Sequence, residues 1–255
     1  MASPLEHRVP AGPLGERWLQ SRPLRHARDS RPPGICFTDP PATRSEQWPR
    51  RLLNVAAAAL GLLLAAPVMV AIALLIKLTS PGPVLYSQTR VGVDLRRPGS
   101  AGSNGRRQVD YGGRPFTIHK FRTMAPCCNE DQVWATPEDP RVTPLGRILR
   151  QYRLDELPQL VNVLRGDMNL VGPRPEQPRI FAELRGQIAG YEWRQRVRPG
   201  ITGWAQINHH YDSSIDDVQR KVALDLEYVV RQSPLEDLRI MLRTIPVVLF
   251  RRGAW

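Results

Sequence analysis

The sequence predicts an α+β, mainly helical, monotopic membrane protein. An N-terminal hydrophobic helix, broken and re-entrant, precedes a cytoplasmic domain containing a small β-hairpin. Three observations predict this. Residues 52–76 carry no charge. Two β-prone runs follow at residues 84–91 and 116–123. Beyond them helical periodicity dominates and ends in amphipathic patterns over residues 215–230 and 235–250. The chain of 255 residues has a one- or two-domain length. It divides into a basic tail (1–49), the membrane helix (50–78) and the cytoplasmic domain (79–255), with a flexible insertion at 94–114.

The tail is rich in Pro and Arg, has few large apolar residues and shows no period, so it cannot bury enough surface to fold. It is not a signal peptide, because the first apolar run begins only at Leu52. It reads either as a solvated tail or as an arm for anionic lipid. The formal charge of +12 calls for an acidic partner: nucleic acid, an anionic membrane surface or a phosphorylated substrate. The three cysteines, Cys36, Cys127 and Cys128, are too few for a disulfide framework or a zinc site and read as reduced thiols facing the cytoplasm.

The uncharged run of about 25 residues would form a helix of roughly 37 Å, long enough for a hydrocarbon core of about 30 Å. Two features favour re-entry over a plain span. Pro67 removes a backbone bond inside the run and leaves arms too short to cross alone. Basic residues flank both ends, Arg50 and Arg51 before and Lys77 and Arg90 after, where a spanning helix should show asymmetry. The break falls at Ala66-Pro67, with no hydroxyl to satisfy a freed carbonyl.

Ser80-Pro81-Gly82-Pro83 reads as a turn into the first strand. In the second, Phe116, Ile118, Lys120 and Arg122 share a face by the period of two. Two cations then point the same way, either toward a ligand or as protection of an edge. The 94–114 insertion is rich in Gly, Ser and Arg.

Residues 154–176, LDELPQLVNVLRGDMNLVGPRPE, concentrate the chemistry. Asp155 and Glu156 open an apolar-periodic segment with Pro158 in its first turn and Gly166 past its end, which predicts a helix. Acidic residues in a first turn are ordinary dipole partners. An ionised Asp there is equally a nucleophile or a ligand for a hard cation. Arg150 and Arg153 precede the pair, and Pro144 reads as the first residue of the helix carrying Arg150. Arg174 stands in a turn stiffened by Pro173 and Pro175, a good setting for a bidentate phosphate clamp. Gly200 and Gly203 read as turn residues, and Trp204 as a packing residue. The 235–250 pattern, with Arg239 and Arg243 beside apolar positions, suits either core packing or the headgroup layer.

Six collinear motifs now bear on identity: SPGPVLYSQTRVG, FTIHKFRTM, DPRVTPLGRILR, LDELPQL, GDMNLVGPRPE and RPGITGWAQIN. From about Arg51 onward the chain resembles the bacterial sugar transferases, the monotopic phosphoglycosyl transferases that load a sugar phosphate onto a polyprenyl phosphate carrier. The resemblance implies a broken helix dipping into one leaflet, in a form without the extra membrane helices of larger relatives. It implies that Asp155 attacks a UDP-sugar, expels UMP and forms an aspartyl phosphosugar, which polyprenyl (undecaprenyl) phosphate then resolves. Glu156 would support Mg²⁺, and Arg174, Arg150 and Lys120 or Arg122 would hold phosphate oxygens. Mg²⁺ is also expected because the ligands beside a diphosphate are oxygens, whereas His119, His209 and His210 lack transition-metal spacing. The likeness is to the hexose-1-phosphate transferases of exopolysaccharide assembly, so UDP-glucose or UDP-galactose is the first expected donor. The expected site is the bacterial inner membrane, with the catalytic domain in the cytoplasm.

A glycosidase dyad needs carboxyl groups on opposite sides of a sugar, about 5 Å or more apart, which consecutive residues seldom provide. A basic membrane-tethered nucleic-acid-binding protein would explain the charge and the anchor. It leaves the carboxylate pair and GPRPE unexplained, and no nucleic-acid motif is present, so no nucleic acid is expected as a partner.

Overall fold

The computed structural model describes residues 48–95, 112–125, 139–208 and 215–249. Most of the tail and of the insertion, together with Cys36, Cys127, Cys128, His209 and His210, lie outside the described residues.

Helix α1 runs Trp48–Thr79, so Trp48 and Pro49, assigned above to the tail, begin it. Its Ala and Leu content is strongly helix-forming. The helix continues through Pro67 without interruption, so the expected break is not a gap in the helix. A proline costs the helix one N–H bond, and a long apolar helix can lose one bond without ending.

Both ends of α1 seat on the same globular body. Near its start Ala58 packs with Phe116, Ile118, Val163 and Met168. Near its end Ile72 and Ile76 pack with Phe121 and Leu149. Polar latches fix the first two turns. Buried Arg50 donates to Asp237 Oδ2 at 2.6 Å and also to Tyr228 and Gln232, and Tyr228 donates to Asp237 Oδ1 at 2.7 Å. Arg51 donates to the carbonyls of Val163 and Leu164 at 2.8 and 2.9 Å, near the negative end of a helix. Leu170 N–H donates to Asn54 Oδ1 at 2.6 Å. Between these seats Leu60, Leu63, Leu64, Val68 and Val70 are exposed. Burying a side chain of this size is worth about 1.5 to 3 kcal/mol, so the outward face of α1 has a strong preference for an apolar phase. By length and composition α1 could cross a membrane.

The β-hairpin is present. Strands β1 (Leu85–Val91) and β2 (Pro115–Phe121) pair antiparallel, with Leu85 opposite Phe121 and Val91 opposite Pro115. Phe116, Ile118 and Phe121 of β2 and Val91 of β1 are its buried residues. Helix α2 (Pro144–Gln151) starts as expected at Pro144, where the Thr143 hydroxyl caps Gly146 N–H. A 3-10 helix, Leu154–Gln159, follows and leads into α3 (Leu160–Arg165), which Gly166 ends at φ 87°. The stop is as expected, but the start is a 3-10 turn rather than an α-helix. Pro158 lacks the N–H that would bond to Leu154 O, and the segment uses tighter bonds instead, such as Glu156 N–H to Arg153 O at 3.2 Å.

Strand β3 (Asn169–Val171) pairs in parallel with β4 (Gly200–Thr202), a second sheet that periodicity over so few residues cannot announce. Gly200 serves this pairing rather than a turn: a Cβ there would lie 2.1 Å from Gly172 N. Helix α4 (Pro178–Gln187), a second 3-10 helix (Tyr191–Arg196), α5 (Trp204–Asn208), α6 (Ile215–Arg231) and α7 (Pro234–Leu249) complete the chain. Helix α6 carries Val218, Val222 and Leu226 into a core with Val91, Phe181 and Tyr191. Helix α7 answers the open question of its faces. It buries Asp237 and Ile240, while Leu235, Leu238, Leu242, Ile245 and Leu249 face outward, with Arg239 and Arg243 beside them in a shallow groove.

Candidate active site at the Asp155–Glu156 pair

The 3-10 helix presents Asp155 and Glu156, and both are buried. It is preceded by Arg153 at φ 54°, the sole non-glycine residue with positive φ among the described residues. That conformation costs a side-chain-bearing residue on the order of 1 kcal/mol, and such strain clusters at functional sites. Here it turns the chain sharply from α2 into the acidic pair.

Three separate stretches converge on Glu156. Lys120 Nζ of β2 lies 2.7 Å from Glu156 Oε1, and Arg174 Nη2, from the turn after β3, lies 2.8 Å from the same oxygen. Arg153 Nη1 stands 3.9 Å from Oε2. Burial alone would raise the Glu156 pKa, but Arg174, Lys120 and Arg153 outweigh it and hold the carboxyl well below the usual range. Asp155 differs. Its nearest cation is Lys120, at 3.9 Å, and burial reinforced by the Glu156 charge raises its pKa above the ordinary value despite Lys120, Arg174 and Arg150. Two adjacent carboxyls are thus pushed in opposite directions. Glu156 is the fixed anion, and Asp155 is the less tightly paired, more basic carboxylate.

The expected site residues divide. The structure brings Lys120 and Arg174 to the pair. Arg150 is held by Thr123 Oγ1 at 3.0 Å, where burial lowers its pKa and the charge of Asp155 acts against that. Arg122 is directed elsewhere. It donates to the carbonyls of Pro81 and Ser80 at 2.8 and 2.9 Å and to Ser80 Oγ at 2.6 Å, tying the α1–β1 turn. The strand ends at Phe121, so the alternation that put Lys120 and Arg122 on one face does not extend that far. Trp204 packs against the core and donates to Glu227 at 3.1 Å.

What the sequence reading missed is the support of the arginine turn. Arg90 and Arg194 donate to the carbonyls of Pro175 and Arg174 at 3.1 and 3.2 Å. Gly172 N–H reaches Thr202 O and Gly200 N–H reaches Pro173 O. Behind the turn Glu176 is ringed by Lys221, Arg194 and Arg90 at 3.3 to 3.9 Å, and Arg194 is bound to Asp225 Oδ2 at 2.6 Å. The available signal was Asp225, a charged residue on the buried stripe of α6.

No group of three or more His, Cys, Asp and Glu suited to a metal ion occurs among the described residues. The pair does offer two adjacent hard-oxygen donors, of which Glu156 Oε2 is the less engaged oxygen of its carboxylate. That set fits a magnesium ion taking one or two carboxylates and otherwise phosphate oxygens, rather than a cage made by protein alone.

A family profile described as bacterial sugar transferase matches residues 45–251. A UDP-N-acetylgalactosamine-undecaprenyl-phosphate N-acetylgalactosaminephosphotransferase of Aeromonas hydrophila is 41% identical over 208 residues, covering 80% of this chain and 44% of the relative. The UDP-glucose:undecaprenyl-phosphate glucose-1-phosphate transferase of Escherichia coli (strain K12) is 39% identical, covering 84% of this chain and 43% of the relative. A protein of the same name from Caulobacter vibrioides is 42% identical, covering 81% and 72%. The chain therefore spans less than half the length of the first two. These matches lend the nucleic-acid-binding alternative no support.

The Glu176 cluster makes a prediction about acid stability. Burial would raise the Glu176 pKa, but Lys221, Arg194 and Arg90 outweigh it and hold the carboxyl at about 2, against 4.5 ordinarily. A depressed folded-state pKa means the stabilisation is complete above the ordinary value and is lost as pH falls from 4.5 through about 2. Glu176→Gln should therefore melt at lower temperature than the parent near pH 6, with the gap closing by about pH 2. Calorimetry across that range checks it, and a pH-independent gap would contradict it.

Proposed function

The chain belongs to the bacterial sugar transferase family, and on that premise we propose that it transfers a sugar-1-phosphate from a UDP-sugar to polyprenyl (undecaprenyl) phosphate, giving polyprenyl-diphosphate-sugar and UMP. The observation that carries this reading is the charge arrangement at Asp155–Glu156: a buried, weakly paired carboxylate beside a fixed anion whose two counter-cations already sit where phosphate oxygens would arrive.

In the proposed sequence a carboxylate oxygen of Asp155 attacks the phosphorus bearing the sugar. The bond from that phosphorus to the bridging oxygen breaks, and UMP leaves with the bonding pair. This gives an aspartyl phosphosugar. A phosphate oxygen of the polyprenyl carrier then attacks the same phosphorus and returns Asp155 as a free carboxylate. Lys120 and Arg174, held at Glu156 before substrate arrives, are within reach to share their charge with the donor's diphosphate. Arg150 adds a third cation on the Asp155 side. A magnesium ion, with Glu156 as its protein ligand, would neutralise charge on the diphosphate. The raised pKa of Asp155 suits its role, because a more basic carboxylate is the better nucleophile once ionised.

The reaction joins a water-soluble donor to a membrane-bound acceptor, so the site must stand at the membrane surface. A re-entrant α1 in the bacterial inner membrane, with the catalytic domain on the cytoplasmic side, satisfies this. Its support is that the seats at Arg50–Ala58 and at Ile72–Ile76 are on one body, whereas a spanning helix would carry its two ends to opposite faces of a core about 30 Å thick. UDP-glucose and UDP-galactose are the first donors to test, with UDP-N-acetylgalactosamine added because the Aeromonas relative is named for it.

A screen of UDP-sugars with polyprenyl phosphate in nanodiscs should release UMP from at least one donor, only when lipid phosphate is present for multiple turnovers. Absence of UMP from every donor would sink the proposal. Topology is tested separately with Leu52→Cys and Leu78→Cys, two exposed positions. A membrane-impermeant maleimide should label both from the cytoplasmic side, and labelling from opposite sides would restore a simple span.

A further inference from the structure

A slot of about 140 Å³ opens beside Glu156, between the 3-10 helix and α7. Its lining is mainly apolar, including Leu157, Leu160, Ile201 and Val248, and takes in Arg153, Glu156 and two threonines. A cavity of about 150 Å³ with apolar walls accepts a benzene-sized guest, so this space accepts hydrocarbon on the scale of an isoprene unit.

Two observations say which hydrocarbon. The first is position. Leu160 lines the slot and also meets α1, where a Cβ on Gly61 would lie 3.4 Å from its Cδ1. Gly61 sits in the apolar run beside exposed Leu60, Leu63 and Leu64. The opposite wall belongs to α7, which exposes Ile245 and Leu249. The slot thus lies against α7 and one side chain, Leu160, away from α1, the two helices that turn apolar side chains outward, and Glu156 of the acidic pair lines it. The second is Gln206. Both polar atoms of its amide are buried and without a hydrogen-bond partner, although it lines a slot whose surface is mainly apolar. A buried unpaired amide is costly and rare, and it suits a ligand that brings its own acceptor.

We propose that this slot receives the first isoprene units of the acceptor lipid, with the Gln206 amide and the Arg153 guanidinium meeting its phosphate. This rests on the transfer reaction proposed above and adds to it the route by which the acceptor reaches the site. An isoprenoid phosphate suits this lining: its apolar chain packs against Leu157, Leu160 and the α7 wall, and its anionic head finds a cation and an N–H donor. The donor's diphosphate, by contrast, is met from the other side by Lys120 and Arg174, neither of which lines the slot.

The test uses the full chain in nanodiscs and a polyprenyl phosphate carrying a diazirine near its phosphate end, with adducts mapped by peptide sequencing. Label is expected on residues 201–208 and 244–249. Unlabelled polyprenyl phosphate should compete and phosphatidylglycerol should not, and Val248→Trp should cut labelling about tenfold or more. Gln206→Leu removes an amide that has no partner in the fold, so its Tm should not fall. Its apparent KM for polyprenyl phosphate should rise about tenfold, the scale of one hydrogen bond to a charged group, with the KM for UDP-sugar within about twofold of the parent. Label confined to the outer faces of α1 or α7, or equal competition by phosphatidylglycerol, would overturn the assignment and leave a generic acyl-chain surface. Slot labelling without UMP from any UDP-sugar would support the slot and refute the transfer reaction. UMP formation with label elsewhere would refute the slot alone.

Discussion

The ion pair from Glu156 Oε1 to Lys120 and Arg174 is the contact on which the rest of the site depends. It joins three stretches of chain: the second hairpin strand, the 3-10 helix and the turn after β3. Burying one carboxylate costs several kcal/mol after relaxation, and attraction to a single cation repays it only with excellent geometry. Two short contacts and a third cation at 3.9 Å meet that requirement. The consequence reaches the neighbouring residue. With Lys120 and Arg174 committed to Glu156, Asp155 is left buried and less paired, which raises its pKa and keeps it chemically available.

The frame around this pair is built on the same plan, with more than one partner for Arg194, Glu176 and Asp237. Glu176 and Asp225 hold Arg194, whose guanidinium supports the carbonyl of Arg174. Asp237 and Tyr228 hold Arg50 at the root of α1. The first network fixes Arg174, proposed above to hold phosphate, and the second fixes the root of α1, whose outward face is apolar. This latch adds to the apolar seats at Ala58 and at Ile72 and Ile76 in keeping α1 registered with the domain while its leucines stay exposed. The apolar outward face of α1 and the charged site are therefore held on one body.

Much of this was legible in the sequence, and the parts that were not share a cause. Local signals were reliable: Pro144 opened a helix, Gly166 closed one, and the two β-prone runs paired as a hairpin. The acidic pair, Lys120 and Arg174 could be assembled because motif residues in order pointed to one site. Failures came wherever a tertiary contact overrode a local rule. Pro158 read as a first-turn helix residue, but its missing donor kept the segment in a 3-10 conformation. Arg122 read as facing with Lys120, but the strand ended one residue earlier and the side chain found the Ser80–Pro81 carbonyls. Gly200 read as a turn, but it is small because Gly172 N lies too close for a Cβ. Arg194 and Asp225 are 31 residues apart, and the one local hint, a charge on the buried stripe of α6, does not name its partner.

The central claim is that Asp155 carries the sugar phosphate. It is tested most directly by incubating the protein with UDP-sugar radiolabelled in the sugar, without lipid acceptor, then quenching and mapping the labelled peptide. The account predicts stoichiometric label on Asp155, released by adding polyprenyl phosphate and absent from Asp155→Asn, which keeps size and shape but loses most of its nucleophilicity. Stoichiometric label retained by Asp155→Asn, or a turning-over enzyme that never becomes labelled, would contradict it and point to another nucleophile or to direct transfer in a ternary complex.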